Sequence, residues 1–175
     1  SETDDIIRRI RRLIEELLRN SKRTSDDNRR TLEELERNSE RAIKKIKDVL
    51  EKLSRDRVPE DELKKRLDEL REEIKEVEER HEELLERDRR KLEEVEKEHE
   101  RRLEEIKRRI EKVLRDTSSD EKAEKIRKEL EDMARESRKL MRENKREVDR
   151  VEKKSRKLLK DILDEIDKVD EDEKR

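Results

Sequence analysis

Two histidines, His81 and His99, are the side chains of this sequence best suited to chemistry near neutral pH, because imidazole titrates near pH 6.5. His81 opens the string HEELL, which lacks the second histidine that a zinc protease needs four residues further on. On one helix, the spacing from His81 to His99 is five turns, or about 27 Å. They are too far apart to share a metal ion, so we predict neither a metal site nor a cofactor.

Carboxylates are abundant in this sequence, but their pattern does not indicate an active site. General acid–base catalysis requires titratable groups held in a desolvated pocket. The apolar residues form narrow stripes that leave no room for such a pocket, and the charged runs are typical of solvated helix faces with i,i+4 ion pairs. We therefore predict no catalytic residues and expect that the protein is not an enzyme.

The elements that carry these side chains are predicted to be helices. Charged residues make up 63% of the chain and hydrophobic residues 26%, whereas glycine, cysteine and aromatic residues are absent. Such a mixture of Glu, Lys, Arg and Leu with a helical period is typical of long helices or coiled coils. The 54 basic and 56 acidic residues nearly cancel, which gives no basis for nucleic-acid binding. Because no apolar run is long enough for a membrane span, the sequence predicts a soluble all-α protein.

Two breaks divide the chain into three helices. Ser1 or Thr3 can cap the first helix, Pro59 suits the first position of the second, and Ser118 with Glu121 has the spacing of a capping box before the third. The predicted helices are residues 3–54, 59–116 and 119–171. Short connections between long helices favour antiparallel neighbours. We predict an elongated, coiled-coil-like, antiparallel up-down-up three-helix bundle that forms a single domain over residues 1–175.

The segment NSKRTSDDNRRT, residues 20–31, contains no apolar residue and could be a loop or a helix whose buried face is polar. The seam that begins at Ile7 alternates spacings of three and four. Continued without a break, it reaches only uncharged positions, namely Ser21, Thr24, Asn28, Thr31, Leu35, Asn38 and Ala42. A loop has no reason to keep this phase, so we favour a continuous helix. A capped break is the alternative, because Ser25 followed by Asp26 and Asp27 could begin a helix.

The seams of the other two helices also contain polar residues. Inside each of these helices, every uncharged polar residue lies on the seam. Folding the chain near residues 57 and 118 places the polar residues in three layers. His99 then lies level with Ser137 and near Leu17 or Ser21, Asp88 lies near Asn28 and Asn144, and His81 lies level with Ser155 and near Thr31 or Leu35. The predicted buried polar network consists of Ser21, Thr24, Asn28, Thr31, Asn38, His81, Asp88, His99, Ser137, Asn144 and Ser155.

Energetics limits what these buried polar residues can do. Each group without a partner would cost about 1–3 kcal/mol, and together they would exceed the roughly 5–15 kcal/mol net stability of a typical domain. They must therefore be hydrogen-bonded or hydrated. Satisfied networks add little net stability but disfavour wrong registers and wrong partners. A histidine held neutral in such a network has a lowered pKa, so its contribution to stability would be lost as the pH falls below about 6.5.

Capped helices, an exterior almost entirely of Glu, Lys and Arg, and buried layers of Ser, Thr, Asn and His resemble a computationally designed helical bundle with hydrogen-bond networks. The resemblance covers the whole chain and is one of style rather than of a motif. It implies a stable, soluble scaffold or assembly component with no catalytic site and no natural localisation, suited to recombinant cytoplasmic expression. A spectrin-like three-helix repeat is the natural counterpart, but such repeats normally carry a buried aromatic residue, and none is present here.

We expect the scaffold to be a monomer that requires no partner, because its stripes suit one central seam. Further apolar residues widen the stripe on one flank without forming a continuous second seam, namely Ile6, Leu13, Leu18, Leu32, Ile43, Leu50, Leu85, Ala134, Met141, Leu159 and Leu163. The alternative is an interaction module of a designed hetero- or homo-oligomer, with a helical partner or with itself, made pH-responsive by the seam histidines.

Overall fold

The computed structural model describes residues 1–116 and 121–173. They form three α-helices, α1 (Glu2–Arg55), α2 (Glu60–Asp116) and α3 (Glu121–Glu173). The prediction of three helices in an all-α protein is confirmed, and each observed end lies within two residues of its predicted position. The predicted capping residue Ser118 lies outside the described residues.

The helix starts follow from local chemistry. The backbone N–H of Asp4 donates to Ser1 Oγ at 3.2 Å, so Ser1 is the cap of α1. Acidic residues occupy the first turn of every helix, where the positive end of the helix dipole favours them. Pro59 immediately precedes α2 rather than opening it, and its carbonyl accepts a hydrogen bond from Leu63 N at 2.9 Å.

The polar segment at residues 20–31 is the interior of α1, which continues through it without a break. Two of its hydroxyls bond back to the preceding turn, because Ser21 Oγ donates to Leu17 O at 3.1 Å and Thr24 Oγ1 donates to Asn20 O at 2.9 Å. Hydroxyls can satisfy themselves in this way without interrupting a helix. The continuous helix is therefore confirmed.

The chain divides into two compact units. Unit 1 comprises Ser1–Arg29 and Arg89–Arg146, and unit 2 comprises Arg30–Asp88 and Glu147–Arg175. All three helices contribute a segment to each unit.

In unit 1 the apolar side chains of all three helices pack into one core, which contains Ile7, Ile10, Ile14, Leu17, Leu103, Ile106, Ile110, Val113, Ala123, Ile126, Leu130, Met133 and Ala134. Ion pairs show the helix directions. Asp4 pairs with Lys122 at 2.8 Å and Arg11 with Glu129 at 3.0 Å, so α1 and α3 run in the same direction. The pairs that join α2 and α3 follow in reverse order, Glu96 with Lys145 and Glu100 with Arg138. The helices of unit 1 are therefore arranged up-down-up.

Unit 2 has its own apolar core, which contains Ile43, Ile46, Leu50, Leu53, Leu63, Leu67, Leu70, Ile74, Val77, Leu159, Ile162 and Ile166. Arg71 of α2 bonds Asp167 of α3 at 2.8 Å and Asp170 at 3.1 Å. His81, which follows Arg71 on α2, bonds Ser155, which precedes Asp167 on α3. In unit 2, α2 and α3 are therefore antiparallel. Glu36 pairs with Arg150 at 2.9 Å and Glu40 with Lys154 at 4.0 Å, so α1 and α3 run in the same direction.

The buried stripe of α1 departs from its predicted phase in unit 2. The heptad continuation predicts burial of Thr31, Asn38 and Ala42, but Thr31 and Asn38 are exposed and Ala42 is half-buried. Leu35 is buried as predicted, and the other buried residues of this stretch are Leu32, Ser39, Ile43 and Ile46. An α-helix has 3.6 residues per turn, so a straight helix drifts about 20° per heptad relative to a repeat of 3.5. After three to four heptads this drift moves the buried face onto the next residue.

Candidate functional site

The first polar layer lies in unit 1 and is called the His99 layer, formed by Ser21, His99 and Ser137. All three side chains are buried. Ser21 Oγ lies 2.6 Å from Ser137 Oγ and 3.4 Å from His99 Nδ1. Because Ser21 can also donate to Leu17 O, its single hydroxyl links two helices and a backbone carbonyl. Each of the three helices thus contributes one polar side chain to the His99 layer.

The second polar layer lies in unit 2 and is called the His81 layer, formed by Ser39, His81 and Ser155. All three side chains are buried, with 6% or less of each exposed. His81 Nδ1 lies 3.0 Å from Ser155 Oγ and 3.3 Å from Ser39 Oγ. A neutral imidazole whose Nδ1 accepts from a serine hydroxyl carries its proton on Nε2. Because a serine hydroxyl can donate or accept, the opposite tautomer, with its proton on Nδ1, would instead donate to one of these hydroxyls.

The two layers repeat one another along every helix. One and the same interval, five full turns of an α-helix, separates Ser21 from Ser39, His81 from His99, and Ser137 from Ser155. The members of each pair therefore occupy the same face of their helix. Eighteen residues are not a whole number of heptads, and strict alternation of threes and fours from Ser21 reaches Asn38 rather than Ser39.

Amide and carboxylate side chains are buried where the layer between the histidines was predicted. In unit 1, Asn28 Nδ2 donates to the backbone oxygen of Asn144 at 3.3 Å, and both residues are buried. Asn28 Oδ1 is buried and has no hydrogen-bond partner among the described residues. In unit 2, Asp88 is buried as well. The amide of Asn28 is thus only partly satisfied.

Burial lowers the pKa of both histidines below the usual 6.5. For His81 the main cause is desolvation, and the positive charge of Arg80 adds to it. For His99 desolvation is again the main cause, Arg102 adds to it, and Glu100 acts in the opposite direction. Glu100 is itself held by Arg138, whose hydrogen bonds lower the pKa of that carboxyl. Burial therefore favours the neutral form of both rings.

The structure separates the predicted network residues into two groups. It buries Ser21, Asn28, His81, Asp88, His99, Ser137, Asn144 and Ser155. Thr24 is half-buried, and Thr31 and Asn38 are exposed. Sequence reasoning missed Ser39, which approaches His81 where Thr31 or Leu35 was expected. The chain turns at residues 56–59, as predicted. Because Ser39 contacts His81 and Ser21 contacts His99, residue numbers at one level of α1 and α2 add to 120, whereas a symmetric fold about residue 57 would make them add to 114.

One groove opens beside a polar layer. It has a volume of about 340 Å³ and lies in unit 1 between α1 and α2, where Asn20 and Thr24 face Val95, His99 and Arg102. In the part of the chain that the structure describes, no three His, Cys, Asp or Glu side chains are grouped as a metal site. Within the same residues, no helix has an apolar stretch that could cross a membrane.

Comparison with known proteins gives one structural likeness to report. No protein-family model matches the sequence, and no curated protein matches it. A solved structure described as a "Computationally designed three helix bundle" is similar to this chain with a TM-score of 0.42 and 20% sequence identity. The similarity covers 97% of this chain and 85% of that one.

Proposed function

We propose that this protein is a designed structural scaffold without natural biochemical activity, in which buried polar layers specify helix register and pairing. The repeated Ser–His–Ser arrangement carries this proposal. Each helix supplies one member of each layer, so a shift of any helix by one turn separates a histidine from its serines. A shifted register would then leave buried polar groups unpaired, at a cost of about 1–3 kcal/mol for each group.

The apolar cores support the same proposal. Each unit closes a core from three helices, and most of the described surface is charged. No required partner, nucleic acid or cofactor follows from such a surface. We propose a monomer and no enzymatic activity, because the histidines and serines that converge inside each unit are engaged with one another.

We further propose that the two units form one domain over residues 1–175. Each helix passes from one unit to the other without an interruption, and the only proline precedes α2. Helix formation is cooperative, which favours joint folding of segments on one helix.

The experiment that tests the scaffold proposal replaces the layers by apolar residues. A variant with alanine at the four layer serines, Ser21, Ser39, Ser137 and Ser155, and leucine at Asn28, His81, His99 and Asn144 removes both partners of each bond and should resist denaturant at least as well as the parent. It should also lose its single structure, with several species in light scattering after size exclusion and multiple amide resonances in NMR spectra. The matched control places leucine at the same number of exposed charged positions on α2 and α3. A layer variant that kept one monodisperse fold would show that the polar layers do not specify register.

A pH-responsive interaction module is the second candidate, favoured by the lowered pKa of the two buried histidines. Protonation of either ring would place a charge inside a layer and weaken it. Molar mass measured at pH 7.5 and pH 5 tests this candidate. A change of mass at pH 5 that disappears when both histidines are replaced by glutamine would support it, and an unchanged mass would reject it.

A further inference from the structure

A groove in unit 1 lies between the first turns of α1 and the last turns of α2, and its floor is apolar. Its volume is about 240 Å³, and Ile6, Ile10 and Val113 line it. Ile10 and Val113 belong to the apolar core of unit 1. Ile6, which packs at the edge, is 39% exposed and is one of three exposed large apolar side chains among the described residues. The edge of the core is therefore accessible to a ligand in this groove, which we call the Ile6 groove.

Cations border the Ile6 groove. Arg9, Arg109 and Lys112 line it, and Asp116 is the one carboxylate among the described residues that do so. Arg109 is shared with Glu105, to which it bonds at 3.0 Å, whereas Arg9 and Lys112 pair with no carboxylate of the described residues. The positive end of the α1 dipole and the negative end of the α2 dipole lie beside the groove and offset one another, so the side-chain charges decide its potential. The groove therefore favours an anion.

Three other grooves of unit 1 lack this combination. The groove beside His99 is lined by three carboxylates and two arginines, so its charge does not favour an anion. The groove between α2 and α3 is lined by three cations and two carboxylates, and Glu100 and Asp132 engage two of those cations. The third groove, on α3, is lined by charged residues without an apolar floor. Of these four grooves, the Ile6 groove alone joins an apolar floor to an excess of two positive charges.

We propose that the Ile6 groove binds the anion of a medium-chain fatty acid, with the alkyl chain on the apolar floor and the carboxylate bound by Arg9 and Lys112. Both cations are exposed, so their charged ends meet the carboxylate in water while their aliphatic stems extend the apolar walls. Pockets for drug-sized ligands have volumes of about 300–1,000 Å³, so the smaller Ile6 groove suits a single unbranched chain. A carboxyl group is ionised at pH 7, which supplies the anion.

This inference goes beyond the scaffold function, because a scaffold requires no ligand. The whole site lies within unit 1, whose core is closed by its own three helix segments. Binding therefore adds a ligand to a folded unit and needs no change in its packing.

NMR titration of the full chain with sodium decanoate tests the proposal. Below the concentration at which decanoate forms micelles, the methyl resonances of Ile6, Ile10 and Val113 should shift along one saturable curve. The methyl resonances of Val49, an apolar residue of unit 2 that is also exposed, should not shift. Octanoate should bind up to about tenfold more weakly, because it buries two fewer methylene groups. Decyltrimethylammonium, which has the same chain length but a positive head group, should bind more weakly still.

Substitutions separate the contributions of charge and apolar contact. Lys112→Glu should weaken decanoate binding about fivefold or more, because it replaces attraction by repulsion beside the carboxylate. Lys22→Glu makes the same charge change at an exposed position of α1 more than three turns beyond Arg9, and this matched control should have little effect. Ile6→Ala should weaken binding about fivefold through lost apolar contact, whereas its control, Val49→Ala, should leave the affinity unchanged.

Four results would overturn the proposal. Methyl resonances that do not respond to decanoate would show that the groove is empty of this ligand, and shifts that begin only when micelles form would report attachment to a micelle surface. Equal affinity for decanoate and decyltrimethylammonium would mean that the cations recognise nothing. A parent that sediments as a dimer and whose Ile6 resonances ignore decanoate would assign the groove to a second copy of the chain.

Discussion

The seam histidines differ from surface histidines because their Nδ1 atoms face serine hydroxyls inside the protein. Burial favours the neutral form of each ring, because desolvation opposes its protonation. The unfolded chain binds these protons more readily than the folded chain does. Stability is therefore fully present above the unfolded pKa of about 6.5 and falls as the pH drops through that value toward the lowered folded pKa.

We expect the free energy of unfolding to decrease between pH 7.5 and pH 5.5, and the decrease to be smaller in a variant with glutamine at both His81 and His99. Guanidinium denaturation at a series of pH values measures it. NMR titration of the ring protons should place both pKa values below 6.5. Stability that stayed constant over this interval would contradict the burial of the two rings.

The loss of unfolding free energy at acidic pH has a separate origin, in carboxylates rather than histidines. Hydrogen bonds from Lys122 and Ser1 lower the pKa of Asp4 to about 2, and Arg138 lowers the pKa of Glu100. A carboxylate with a lowered folded pKa stabilises the protein above its unfolded pKa and loses this contribution as the pH falls through the folded value. These losses begin near the ordinary carboxyl pKa values of about 4, whereas the histidine loss begins near pH 6.5.

Asn28 provides a test of what the buried amide contributes. Its Oδ1 is buried without a partner and its Nδ2 makes one hydrogen bond, at 3.3 Å. We expect Asn28→Leu to raise the free energy of unfolding by about 1–3 kcal/mol, because it removes an unsatisfied carbonyl and adds apolar contact. Chemical denaturation measures the change.

The control for Asn28 is a polar residue that is satisfied. Ser137 lies 2.6 Å from Ser21 Oγ in the His99 layer, so Ser137→Ala should lower stability by about 0.5–1.5 kcal/mol. If both substitutions changed the free energy of unfolding in the same direction, hydrogen-bond satisfaction would not distinguish these two sites.

At the scale of the element, the helix limits and most buried positions could be predicted from sequence, but the buried face of α1 in unit 2 could not. Ser1, Pro59 and the uncharged seam positions identify the three helices and the continuity of residues 20–31. The heptad template fails gradually, because its error of about 20° per heptad accumulates along α1. It still selects Ser21 and Asn28 correctly, but it selects Asn38 where the buried residue is Ser39. The available signal was the five-turn spacing of the two histidines.

Adjacent lysine substitutions test the phase of α1 directly. Ser39 is 2% exposed and packs beside His81, so Ser39→Lys places an unpaired charge in the layer and should cost about 2–4 kcal/mol of stability. Asn38 is exposed, so Asn38→Lys should change stability by less than about 0.5 kcal/mol. Thermal or guanidinium unfolding measures both. If Asn38→Lys destabilised the protein more than Ser39→Lys, the buried face of α1 would follow the heptad phase instead.

At the scale of the whole molecule, the polar layers also provide natural reporters. Unit 1 contains His99 and unit 2 contains His81, and the chain has no other histidine. Their ring-proton resonances therefore follow the unfolding of each unit without any engineered probe. The heptad stripes predict one domain, and packing forms two compact units within it, each with its own apolar core. Sequence patterns could not show this division, because the same three helices supply both cores.

We expect the two histidine resonances to lose their folded signals over the same range of denaturant concentration. The helices carry no glycine or proline inside their bounds, so unfolding one unit would leave three helix segments of the other to end without caps. The first turns of such ends lose hydrogen bonds, and this couples the units even though each has its own core. Coincident midpoints for His81 and His99, matching the loss of helical circular dichroism, would establish one cooperative domain. Separate midpoints, with one histidine still in its folded environment while the other had lost it, would establish two domains on shared helices. In that case the Ser–His–Ser layer of each unit would specify helix register only within that unit.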